Sequence, residues 1–167
     1  GYWKGGVWAP TNYMIIKGLE QNGYEDLATR ASERYLSGMS CVFENTNTVW
    51  ENYSPDTCDR GYPARPDFVG WTGIGPIALL IENVLGFRVN AVESELLWRI
   101  TRTDEHGIRN LRVGDIIVSA LCNKRENRSD EARISVMASK PFTMVIMKGE
   151  NRESFNLQTG ENEIVIR

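Results

Sequence analysis

The sequence predicts an α+β chain, with a helical first half and a small antiparallel β-sandwich after it. Composition is the first sign: all six tyrosines and four of the five tryptophans lie before residue 72. Periodicity is the second, because apolar residues up to Leu85 recur at three and four positions and alternate beyond Gly86. Turn residues are the third, punctuating the second half at short intervals, as strands of a sandwich require. A chain of 167 residues can bury one sizeable core or two small ones. The change of pattern at Gly86–Arg88 places a boundary there, giving domains 1–86 and 87–167.

The first helix begins at about Pro10–Thr11, where proline is pre-set for an opening turn. It runs to Gln21, with Tyr13, Ile15, Ile16 and Leu19 as its apolar face, and Asn22-Gly23 closes it. The second spans about Tyr24 to Phe43. Leu27, Ala28, Ala31, Tyr35, Leu36, Met39, Val42 and Phe43 supply its apolar spacing. Asn45 to Pro66 reads as a long loop, of a length usually functional or disordered in a compact domain. Its Trp50, Glu51 and Tyr53 favour function. The third helix runs from about Thr72 to Leu85, tolerates Pro76 in its first turn, and turns Ile77, Leu80, Ile81 and Val84 inward.

Strands are predicted at 95–100, 108–113, 115–122, 132–138, 142–148, 152–157 and 163–167. Trp98, alternating within the first of these, reads as sandwich core. Three helices cannot close a helical barrel, and their apolar faces need partners. Either further polypeptide of the same protein covers them, or the chain self-associates.

Net charge is −3 with 25% charged residues, so no basic excess points to nucleic acid. No apolar run reaches the roughly 18–20 residues of a membrane helix. Gly1-Tyr2-Trp3-Lys4 leads straight into motif-like sequence, which leaves no signal peptide and leaves the compartment open. Cys41, Cys58 and Cys122 fit no zinc or redox spacing. They read as two buried or half-buried thiols and one loop thiol, Cys58, with a disulfide between two of them the less favoured reading. His106, the only histidine, falls in a polar Asp-Glu-His-Gly turn, which argues against a catalytic triad. No cofactor and no metal are expected.

Three aromatic blocks carry the chemistry: Tyr2 to Tyr13, Trp50 to Asp56 and Asp67 to Gly73. Rings pack on the C–H faces of sugars while polar groups bind their hydroxyls. Glu51, beside Trp50 and Tyr53, suits general acid–base work. The alternative is that it caps a turn or pairs with Arg60 or Arg65. In the first block, Gly5-Gly6 permits close backbone approach to a ligand. Trp3 and Trp8 could wall a sugar pocket, and Asn12, Tyr13 and Lys4 could meet hydroxyls or charge. Helix packing is the alternative for Trp8 and Tyr13. Trp71, freed by Gly70 and Gly73, could project into a cavity or belong to the core, and Asp67 reads as a cap.

These blocks, YWKGGVWAPTNYMIIKGLEQNGYEDLA, WENYSPD and DFVGWTGIGPIALLIENVLG, resemble the end of the catalytic domain in the glucosidase-I, mannosylglycerate-hydrolase and trehalase group. The resemblance covers about residues 2 to 86. It implies the last helices of an (α/α)6 toroid and an inverting α-glycosidase. It also implies Glu51 as catalytic base, with Trp3, Lys4, Trp8, Asn12 and Tyr13 lining the pocket and Trp71 at its floor or rim. Tyr53, close to Glu51 in the sequence, is a further substrate-binding candidate read from the residues. The group's general acid is an earlier aspartate that nothing here matches. The chain would then carry one of two catalytic carboxylates, be inactive alone, and act on an oligosaccharide or small glycoside only with polypeptide N-terminal to it. Lys4 stands where arginine is usual, so a bidentate contact is lost. Two other readings keep the residues: a non-catalytic carbohydrate-binding module, and a toroid sugar epimerase or phosphorylase.

Overall fold

The computed structural model describes residues 3–167, which divide into two compact units between Val84 and Leu85. Tyr2, part of the first aromatic block, lies outside the described residues.

In the first unit, α1 spans Ala9–Gln21 and α2 spans Glu25–Thr46. Pro10 sits in the first turn of α1. Glu25 and Asp26 open α2, where carboxylates complement the helix dipole. Asn47, left-handed at φ 53°, ends it with its N–H on the Phe43 carbonyl. The helix therefore runs three residues past the predicted Phe43. Ala28, Tyr35, Met39 and Val42 are buried, whereas Leu27 and Phe43 of the predicted face are exposed, as is Ile15 on α1. Ala9, Ile16 and Leu79 complete the core with Tyr53, which enters it from the long loop.

The third helix is not an α-helix. A 3₁₀ turn at Trp71–Gly73 leads into a π-helix at Gly75–Val84. The wider winding shifts which positions face inward. Gly75, Leu79, Asn83 and Val84 are buried, while Ile77 and Leu80, predicted inward, are exposed. A polar clamp holds this helix to α1: Lys17 Nζ donates to Glu20, Glu82 and Asn83, and Asn83 Nδ2 donates to Glu20 at 2.7 Å.

The second unit holds eight strands: β1 Phe87–Asn90, β2 Glu95–Arg99, β3 His106–Val113, β4 Ile116–Cys122, β5 Ala132–Ala138, β6 Phe142–Lys148, β7 Asn151–Leu157 and β8 Gly160–Ile166. They form two four-stranded sheets, ordered β1-β2-β6-β7 and β3-β4-β5-β8. The pairings are antiparallel except β2 with β6. That parallel pair corrects the all-antiparallel expectation. Between β2 and β6 the chain builds three strands of the other sheet, which supplies the long crossover a parallel pair needs. Strand β1 escaped the reading because only Phe87 of its four residues is buried, so nothing alternates.

Gly86 turns into β1 at φ 86°, and a side chain there would meet the Arg99 carbonyl oxygen at 2.1 Å, so only glycine fits. Trp98 is fully buried, stacked 4.4 Å from Phe87, with its indole N–H on the Leu85 carbonyl at 2.8 Å. His106 is not a turn residue. It opens β3, is buried, and packs edge-on against Trp98 at 5.5 Å.

The cysteine reading is also corrected. Cys41 on α2 and Cys58 in the loop form a disulfide, with Cα atoms 5.8 Å apart across 17 residues of sequence, and Cys122 is a buried free thiol. Spacing alone could not show that the loop doubles back onto α2. Among the described residues, no helix is long and apolar enough to cross a membrane.

Candidate functional site

The site grows from the way the loop after α2 is fastened. Tyr53 N donates to the Val7 carbonyl at 3.1 Å, and Val7 N donates back to Tyr53 at 2.8 Å. The loop is thereby paired to the strand-like segment just before α1. Tyr53 also bridges to Arg60, and Glu51 N donates to the Arg65 carbonyl at 2.9 Å. Three segments converge: the approach to α1, the 50–65 loop, and the 3₁₀ turn that opens the π-helix.

Their aromatic residues meet. Trp3 stacks on Trp8 with ring centroids 3.9 Å apart, and Trp71 lies 6.3 Å from Trp3 and 6.1 Å from Trp8. Phe68 adds a tilted contact to Trp71 at 4.9 Å. Trp8 is buried to 1% exposure, while Trp3 stays 55% exposed at the edge of the group.

Glu51 is tied to this group through its main chain. Trp71 Nε1 donates to the Glu51 carbonyl at 3.3 Å. Thr72, fully buried, shares its hydroxyl between the Trp50 carbonyl at 3.0 Å and the Glu51 carbonyl at 3.4 Å. Glu51 is only 3% exposed, and its Oε2 is buried with no hydrogen-bond partner among the described residues. Neither arginine of the alternative reading pairs with it: the Arg60 guanidinium lies over the Trp50 ring at 4.9 Å, and Arg65 contributes its carbonyl. A buried carboxylate oxygen without a donor is costly unless something else meets it.

Asn52, not singled out in the sequence, is the wedge beneath this arrangement. It is 2% exposed, its side chain donates to the Pro63 carbonyl at 3.0 Å, and its carbonyl accepts Gly61 N at 3.0 Å. A Cβ on Gly61 would stand 1.7 Å from Asn52 Oδ1, and one on Gly6 would stand 3.0 Å from it. The signal available in the sequence was the pair of glycine positions, whose shared neighbour is visible only in three dimensions.

The other predicted residues distribute differently. Tyr53 is buried, and its hydroxyl accepts Trp50 N at 3.2 Å. Burial pushes the phenol's pKa up, against the opposing effect of that N–H. Trp50 turns its indole N–H to Thr46 at 3.0 Å. Asn12 uses its amide on the Trp8 carbonyl at 2.8 Å, fastening the start of α1. Tyr13 sits half-buried with Lys17 Nζ 5.5 Å from its ring centre. Lys4 is exposed. Asn12 and Tyr53 line a cavity of about 540 Å³ with Val7, Arg34, Met39 and Asp56, while Glu51 and the three clustered tryptophans are not among its walls. Tyr35 also borders it. Burial, then its neighbour Tyr53, drives that phenol's pKa far upward. Among the described residues, no group of three or more histidine, cysteine or acidic side chains could hold a metal.

Residues 1–72 match the family described as the mannosylglycerate hydrolase MGH1-like glycoside hydrolase domain. An uncharacterized protein of Borreliella burgdorferi is 26% identical over 136 residues, covering 74% of this chain and 28% of that protein. A probable mannosyl-oligosaccharide glucosidase of Schizosaccharomyces pombe is 35% identical over 92 residues, covering 49% of this chain and 11% of that protein. The chain thus spans less than a third of either relative. No solved structure matches it. Through the region that takes in Glu51, Asn52 and the tryptophan group, the chain is related to the glycoside hydrolases.

Proposed function

We propose that this chain is the C-terminal part of an inverting α-glycosidase and that Glu51 is its general base. The observation that carries the proposal is the buried, unpartnered Oε2 of Glu51 on a main chain held by Trp71 and Thr72. A general base needs a free lone pair in a fixed place, and an inverting enzyme needs it aimed at a water beside the anomeric carbon. Exposed Trp3 and half-buried Trp71 offer ring faces to a sugar, and Trp8, buried beneath Trp3, backs them. Lys4, Asn12, Tyr13 and Tyr53 are the remaining substrate-binding candidates, with Asn12 and Tyr53 on the neighbouring cavity.

The helices of the first unit belong, in this reading, to an (α/α)6 toroid, and the two sheets form the β-sandwich after it. The general acid comes from polypeptide N-terminal to this chain, so the chain alone is inactive. Exposed Met14, Ile15 and Ile77 on α1 and the π-helix support missing neighbours, or self-association in their absence. The printed names of the matching family and of one relative, a mannosylglycerate hydrolase and a glucosidase, support a mannoside or a glucoside as substrate, and the α linkage and trehalose-like substrates are part of the proposal.

The experiment follows hydrolysis of an α-glucoside and an α-mannoside by the longer protein, reading the first-formed anomer by proton NMR. Release of the β-anomer is expected. Release of the α-anomer, or phosphorolysis or epimerisation without hydrolysis, would overturn the assignment.

A further inference from the structure

The Cys41–Cys58 bond joins α2 to the loop segment that borders the candidate site. Cys58 is exposed and Cys41 is half-buried, and both line the 540 Å³ cavity with Tyr53. Within the segment the hydrogen bonds are local. Ser54 N donates to Asp59, Asp59 N to Thr57, and the Ser54 hydroxyl accepts from Asp56 N and Thr57 N. Beyond these, Asn45 Nδ2 reaches Cys58 Sγ at 3.3 Å. The covalent link is therefore the main restraint between residues 54–59 and the helix. One side of it is open to solvent, where exchange reagents act.

We propose that Cys41–Cys58 is a thiol–disulfide exchange site, open to a dithiol reductant, that controls the order of the Tyr53–Arg60 segment. A thiolate of the reductant attacks Cys58 Sγ. The sulfur–sulfur bond breaks, and Cys41 leaves as a thiolate and takes up a proton. The reductant's second thiolate then resolves the mixed disulfide, freeing Cys58 and leaving the reductant oxidised. Released from α2, the segment loosens, and the Tyr53–Val7 pairing that holds the Glu51 loop weakens with it. The consequence for turnover rests on Glu51 being the base. The loosening does not.

The test treats the folded chain with dithiothreitol, counts thiols by maleimide labelling and mass spectrometry, and follows amide hydrogen exchange. Cys122, fully buried, is the internal control and stays unlabelled. The expected result is labelling of Cys41 and Cys58, with exchange of residues 53–60 at least tenfold faster and residues 28–39 of α2 unchanged. The Cys41→Ser/Cys58→Ser variant exchanges at the fast rate with or without reductant. Resistance of the bond under native conditions overturns the proposal, as does reduction with unchanged exchange. Equal acceleration across α2 also overturns it, since the bond would then be a general structural staple. Turnover of the longer protein is read in parallel. If exchange responds and turnover does not, the switch stands and its coupling to turnover fails, while Glu51→Gln tests the base separately.

Discussion

Trp71 donates its indole N–H to the main-chain carbonyl of Glu51 at 3.3 Å. One residue further on, Thr72 adds its hydroxyl to the same carbonyl. The start of the third helical element thus holds the acidic loop by its backbone. The carboxylate itself keeps an oxygen without a partner among the described residues. In the function we propose, positioning and chemistry are separated: the main chain carries the restraint, and the side chain meets the ligand.

Thr72→Val removes the hydroxyl while keeping the shape, leaving the Trp50 carbonyl without its buried donor. The expected cost is about 1–3 kcal/mol, read as a lower urea midpoint with unchanged slope. Thr72→Ser restores most of it. An unchanged midpoint in the valine variant would show that water replaces the hydroxyl.

Gly61→Ala places a methyl into the space of Asn52 Oδ1. Destabilisation of about 1–3 kcal/mol is expected from the forced shift. Adding Asn52→Ala removes the obstacle but also the bond to Pro63, so the two changes together should cost less than their sum. Additivity in denaturant melts would contradict the contact.

His106 tests the β-unit. Burial lowers its pKa, and the Arg102 and Arg125 charges act in the same sense, against the Asp104 carbonyl and charge. The folded state therefore resists protonation. Above the unfolded pKa of about 6.5 the ring is neutral in both states and stability is at its full value. As pH falls below that, the unfolded chain binds the proton first, and stability declines until the folded pKa is reached. His106→Phe should flatten this slope in melts between pH 7 and pH 4, separately from the lower window in which Asp104, held low by Arg102, titrates. An unaltered slope would assign the pH dependence elsewhere.

Much of the architecture could be read from local pattern, because α1, α2 and strands such as β5 bury residues at the period their sequences show. Phe87–Asn90 could not, since one buried residue makes no period. The π-helix misled the reading at Ile77 and Leu80, where winding rather than composition decides which side faces in. Glu51 and the three tryptophans stood out in the sequence because aromatic residues beside glycine and an acid are unusual in a loop, and that they meet is a finding of the fold. Asn52 and Thr72 were not, since their importance lies in what touches them: Gly6 and Gly61 for one, two carbonyls for the other. Nor was the disulfide, which depends on a fold-back that no spacing encodes.

The most direct test of the account is Glu51→Gln in the longer protein, with kcat and KM measured on its best α-glycoside. The amide keeps the shape and the main-chain bonds but cannot take a proton. A fall in kcat of about 10²–10⁴-fold with KM little changed is predicted. Turnover equal to that of the unaltered protein would remove Glu51 from the chemistry and, with it, the proposed mechanism.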